Sequence, residues 1–146
     1  MKHVCSVLLV CCLLTGYSHA RAVACSNASL NGGFGFSVAG NNLTLGVAFA
    51  ISGRFTADGQ GHFSGNAIEN VAGTVSSTPF EGSYQTSKDC TGTAKFFFPG
   101  GVESNMSFVL VDNSNQLIIT VTDQGTMESG TAQKQFPSSP EKQSDK

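Results

Sequence analysis

The sequence predicts an all-β fold, an antiparallel barrel of about eight strands. Three observations carry this. From Gly32 onward, short runs alternate apolar and polar residues with the strand period of two. Clusters of Gly, Asn, Asp and Ser separate these runs at nearly even spacing. No segment keeps a 3.6-residue apolar period long enough to read as a helix. The 146 residues include 17 Gly and 11 Phe but no Trp, and only 12% are charged, which suits short strands and tight turns.

The runs follow one another as a meander. Phe34, Phe36 and Val38 alternate with Gly35 and Ser37, and Gly40-Asn41-Asn42 turns the chain. Leu45, Val47, Phe49, Ile51 and Phe55 alternate with Ala48, Ala50, Ser52 and Arg54. Asp58-Gly59-Gln60-Gly61 is a strong turn signal, because Gly supplies positive φ without steric cost. Phe63, Gly65 and Ala67 form the next run, and Gly73 to Pro79 reads as a loop or a weak strand end. Gly82, Tyr84 and Thr86 follow, then Thr93 to Phe98, which stops at Pro99-Gly100-Gly101. Met106, Phe108 and Leu110 precede the turn Asp112-Asn113-Ser114-Asn115. Leu117, Ile119 and Val121 precede Asp123-Gln124-Gly125, and Thr126 to Gln135 is a last, more polar strand. Sequential strands joined by tight turns tend to be neighbours in the sheet. Closure would remove the two raw edges of such a meander. A two-sheet β-sandwich is the alternative.

Residues 1–24 read as a secretory signal, 25–136 as the barrel domain and 137–146 as a disordered polar tail. Lys2 and His3 form a short positive start, and Val4 to Leu14 is an apolar run too short to span a bilayer. Ala22-Val23-Ala24 supplies the small residues of a cleavage site. Cys5, Cys11 and Cys12 would leave with the signal, so Cys25 and Cys90 remain as a candidate disulfide in an oxidising compartment. The expected location is secreted or periplasmic. The competing reading is a lipid anchor at Cys25, directly after the small residues. The formal net charge is −2, and loss of Lys2 and Arg21 takes it further negative. No basic stripe is present, which argues against nucleic acid and against an anionic membrane surface. No transmembrane segment is expected, and the oligomeric state is open.

The mature start Cys25-Ser26-Asn27-Ala28-Ser29-Leu30-Asn31-Gly32, with Phe34-Gly35-Phe36, forms part of a wider pattern. The pattern continues in Gly53-Arg54-Phe55, Asp58 to Gly61, Phe63-Ser64-Gly65, Gly82-Ser83-Tyr84 and Asp89-Cys90-Thr91-Gly92-Thr93. It resembles a group of small secreted bacterial proteins of the soil acidobacterial type. The resemblance spans most of residues 25–135. It implies an eight-stranded barrel similar to allene oxide cyclase and to lipocalins, and it supports pairing of Cys25 with Cys90. It carries over no catalytic residue.

A site would need a polar group facing a cavity. By strict alternation Arg54, Lys95 and Glu81 face solvent. Glu128, out of phase with Met127, reads as exposed. Glu69 is in phase with Phe63, Gly65 and Ala67, so a strand that continues without a bulge points it inward near one mouth as the one candidate acid or base; the alternative is a strand-end glutamate in water. No metal site is expected: two cysteines with His62 fall short of a tetrahedral set, and Asp58 to Gly61 falls short of calcium. No cofactor is implied. Phe96-Phe97-Phe98 puts rings on both faces of one strand. Phe97 is therefore either covered by the N-terminal segment or left as an interaction patch.

The leading expectation is a binding module for a small apolar ligand. One rival is a cyclase- or isomerase-like enzyme acting on an apolar substrate. Another is a structural or interaction protein of the cell envelope. The sequence does not decide whether the protein is an enzyme, and the outward charges lean against it.

Overall fold

The computed structural model describes residues 24–135. The signal segment up to Val23 and the tail at 137–146 lie outside the described residues. Eight strands follow in chain order: β1 (Asn31–Asn42), β2 (Val47–Asp58), β3 (His62–Val71), β4 (Thr74–Thr86), β5 (Thr91–Phe98), β6 (Val102–Val111), β7 (Gln116–Val121) and β8 (Thr126–Lys134). Each pairs antiparallel with the next, and β8 returns to β1, so the sheet is a closed barrel rather than a sandwich. Val38 on β1, for example, lies opposite Ile51 on β2 and Gly130 on β8. Every strand therefore has two partners, and no free edge remains to template aggregation.

The alternation in the sequence becomes an inside and an outside. Phe34, Phe55, Phe63, Phe80, Phe108 and Leu117 are buried in the interior. Their sequence neighbours Arg54, Thr56, Ser64, Glu81 and Ile118 are exposed. The rings pack on one another: Phe63 lies 4.5 Å from Phe96 between centroids, and Phe34 stacks on Phe55 at 5.2 Å.

Glycines on the inner face make room for these rings. A methyl group on Gly82 would collide with the Phe63 ring, and one on Gly92 with the Phe108 ring. Strands that curve into a small barrel need such bare positions, which a neighbouring aromatic then covers.

Two stretches differ from the sequence-based expectation. Thr74 to Pro79, expected as a loop or strand end, belongs to β4 and pairs with β3 over its whole length. It is mostly exposed, so the ladder rather than burial holds it there, and no apolar alternation marks it. Leu45, expected to begin the second strand, lies instead in the β1–β2 turn and is 71% exposed.

The two barrel ends are unlike. At one end the chain enters through Cys25 and a 3-10 turn, Asn27–Ser29, that lies against β4. Cys25 is bonded to Cys90 with 5.0 Å between Cα atoms, which ties this segment to the β4–β5 turn. Leu30 is buried behind it. The Tyr84 hydroxyl donates to the Leu30 carbonyl at 2.7 Å, with the Asn27 carbonyl 3.1 Å from the same oxygen. The Asn27 side chain accepts from the Thr86 amide at 2.8 Å. The strand turns at this end are polar. In one of them Asp58 Oδ1 accepts from the amides of Gln60, Gly61 and His62, which fits the expected hairpin turn.

The turns at the opposite end carry apolar side chains. Leu43 and Leu45 sit in the β1–β2 turn, Val75 after the β3–β4 turn, Val102 after the β5–β6 turn and Met127 after the β7–β8 turn, all largely exposed. Among the described residues no helix is long and apolar enough to cross a membrane.

Candidate functional site

The barrel interior holds a partly enclosed cavity of about 80 Å³. Its wall is almost wholly apolar and mostly aromatic, with Phe36, Phe80, Phe96, Phe98 and Met106 among the lining residues. This volume is well below the roughly 300–1,000 Å³ of pockets for drug-sized ligands. It is nearer to the scale of apolar cavities that take a single ring, about 150 Å³. The barrel is therefore neither hollow nor solid. A ring-sized guest would need the flexible Met106 side chain or a neighbouring ring to give way.

Among the described residues, three that line the cavity carry a polar side-chain group: Tyr84, Ser104 and Glu128. Tyr84 points its hydroxyl at the capped end, where the Leu30 carbonyl takes the proton. Ser104 and Glu128 sit toward the opposite end, near the first residues of β6 and β8. The Ser104 hydroxyl donates to Asp123 Oδ2 at 2.7 Å. Asp123 also accepts from the Asn105 amide at 3.0 Å and from the Asn105 side chain at 2.8 Å, so it braces β6 against the β7–β8 turn. Burial pushes the Asp123 carboxyl up, but the hydrogen bonds from Ser104 and Asn105 outweigh it and leave it below the usual range.

Glu128 is the carboxylate that enters the cavity wall. The outward residue of its pair is Met127, 66% exposed, which reverses the expectation from the sequence. The register explains the reversal. Glu128 shares its face with Gly130 and Ala132, and Ala132 is fully buried. Gly40 lies opposite it on β1 and allows the close approach of β8, since a methyl there would collide with the Met127 carbonyl and come within 2.7 Å of Glu128 Cα. Burial raises the Glu128 carboxyl above the ordinary glutamate value, and the charge on Asp123 pushes it the same way. Among the described residues it makes no hydrogen bond or ion pair. The run Glu128-x-Gly130-x-Ala132 was the available signal, because small residues facing a crowded interior mark the inner phase better than one exposed Met.

Glu69 is placed differently. β3 runs without interruption to Val71, so Glu69 stays in phase with Phe63 and Ala67, opposite Ile51 and Ser76. It is half-buried at the open end and does not line the cavity. The structure does not bring it into contact with Glu128 or Ser104 through any hydrogen bond among the described residues.

Phe97 faces outward and is 37% exposed. The Lys95 ammonium lies 5.5 Å from its ring centre and is also paired with Glu103. Cys25 is held at the far end of β5 from Phe97, and among the described residues none of 24–30 lines the grooves beside it. His62 is a surface residue at the capped end, 3.4 Å from Asp58. Among the described residues no group of three or more His, Cys, Asp or Glu could hold a metal ion.

Chemically, this interior can exclude water, stack a flat apolar guest against rings and offer it one carboxyl and one hydroxyl oxygen. The chain matches no protein-family model and no curated protein. Solved structures similar to it include two barrels. One is described as "a redesigned beta barrel, mFAP1, bound to DFHBI", at 17% identity with a TM-score of 0.53, covering 74% of this chain and 97% of that one. The other is described as "EF1p2_mFAP2b bound to DFHBI", at 11% identity with a TM-score of 0.51, covering 73% and 94%. At these identities the likeness concerns the fold.

Proposed function

We propose that this protein is an exported barrel that binds a small apolar molecule in its interior. The lining carries this reading: an aromatic cavity, partly open, whose few polar side chains are confined to its ends. Folding alone would favour filling such a space, since empty apolar volume costs dispersion contacts. The apolar turns Leu43–Leu45 and the exposed Val102 and Met127 at the open end suit the approach of an apolar guest. The two similar barrels are each described as bound to DFHBI, which agrees with a ligand-binding barrel. Export is supported by the apolar run Val4 to Leu14 and by the Cys25–Cys90 bond, which fits an oxidising compartment. That bond occupies the sulfur a lipid anchor on Cys25 would need.

Calorimetric titration with toluene tests the binding reading. The expected outcome is saturable binding at one site, with Kd on the order of 0.1 mM for so small a guest and a negative heat-capacity change. Absence of both heat and thermal stabilisation up to the solubility of toluene would overturn it.

A further inference from the structure

The cavity has two unlike ends, and the open one is chemically one-sided. Ser104 has a single hydroxyl proton, and Asp123 takes it, so Ser104 offers the cavity only acceptor lone pairs. Glu128, once ionised, is also an acceptor only. Among the described residues no Lys, Arg or His lines the cavity. The described cations are placed elsewhere. Arg54 and His62 are exposed, Lys88 lies in the capped-end turn, Lys95 is paired with Glu103 outside, and Lys134 lies over Phe34 near the capped end. Phe96, the cross-strand partner of Ser104, and Phe98 line the same cavity, their rings 6.2 Å apart between centroids. Aromatic faces and a carboxylate favour the same kind of guest, one that is positively charged and donates hydrogen bonds. A carboxylate or phosphate head would meet Glu128 and Asp123 with no compensating cation.

We infer that the ligand is an apolar amine, its ring or chain held among the phenylalanines and its ammonium received by Glu128 and the Ser104 oxygen. This rests on the interior binding reading and names the class of molecule that would occupy it. The unpaired Glu128 carboxylate gains a counter-ion, and the ammonium keeps contact with water at the mouth, which limits its desolvation cost.

Three probes with one body and different heads separate the possibilities: toluene, benzylamine and benzoate, titrated calorimetrically into the full chain at neutral pH. Benzylamine is expected to bind about tenfold more tightly than toluene, the scale of one charge-assisted hydrogen bond in a partly wet site, and benzoate more weakly than either. Glu128→Gln is expected to bring benzylamine down to the level of toluene in the same variant, with a cooperative thermal melt reporting that the variant is folded. Should the variant not fold, the wild-type order of benzylamine over benzoate decides the matter without it. Toluene binding with no preference for benzylamine over benzoate would overturn the amine assignment and leave the interior site standing. Equal benzylamine affinity in wild type and variant would do the same. Failure of all three probes to bind would overturn both.

Discussion

Glu128 shows how one residue can work against the fold that holds it. Its carboxyl is raised by burial and by Asp123, so the folded chain binds the proton more tightly than the unfolded chain does. The associated stability is full below the unfolded glutamate value and is lost as pH rises through the folded one. Glu128→Gln removes this loss. Thermal melts should therefore show variant and wild type alike near about pH 3 and the variant higher at neutral pH. The rise should be on the order of 2 °C, because the mouth is partly solvated. A variant less stable at neutral pH would mean that the carboxylate has a partner the geometry does not show. Asp123 has the opposite sign: hydrogen bonds from Ser104 and Asn105 outweigh burial, so its contribution is lost as pH falls through its depressed value. At this scale the sequence was only partly legible. The alternation of β3 puts Glu69 in phase with Phe63 and Ala67, yet the residue does not line the cavity. Glu128 was misplaced because β8 is polar at nearly every position, and its one large apolar residue, Met127, points outward.

The strands owe their inner packing to pairs of unequal size. Phe63 lies over Gly82 and Phe108 over Gly92, each ring filling the space its glycine leaves. Gly82→Ala should cost about 1–3 kcal/mol in urea unfolding, the usual range for an overpacked core. Adding Phe63→Leu to Gly82→Ala should recover part of that loss, because the two residues compete for one volume. Additive losses in the double variant would sink the pairing argument. These pairs were legible in outline, since Gly65, Gly82 and Gly92 recur among the aromatic runs at strand period. The first half of β4 was not. Thr74 to Pro79 buries little, and its strand character comes from main-chain pairing with Asn66 to Val71, which leaves no trace in hydrophobic pattern.

The whole molecule is a meander closed on itself, capped at one end and open at the other. The cap depends on a bond that joins residues 65 positions apart in sequence. In the chain-entropy description a loop of that length contributes about 4 kcal/mol. Replacing both Cys25 and Cys90 with Ser should lower urea-unfolding stability by roughly that amount while far-ultraviolet circular dichroism still reports the sheet. A larger loss, with the sheet gone, would mean that the cap is required for closure itself. Closure was legible because eight short strands in sequence order leave two edges to manage. What the interior would hold was not, since free volume depends on how the rings tilt.

Methionine methyl groups test the interior site most directly. Met106 lines the cavity, and Met127 stands outside it on the same open half of the barrel, 66% exposed. With 13C-labelled methionine methyls, assigned through Met106→Leu, toluene is titrated into the protein. A binding site inside the barrel predicts a saturable shift of the Met106 resonance with Met127 unmoved. A shift of Met127 alone, or of neither, would contradict an interior site.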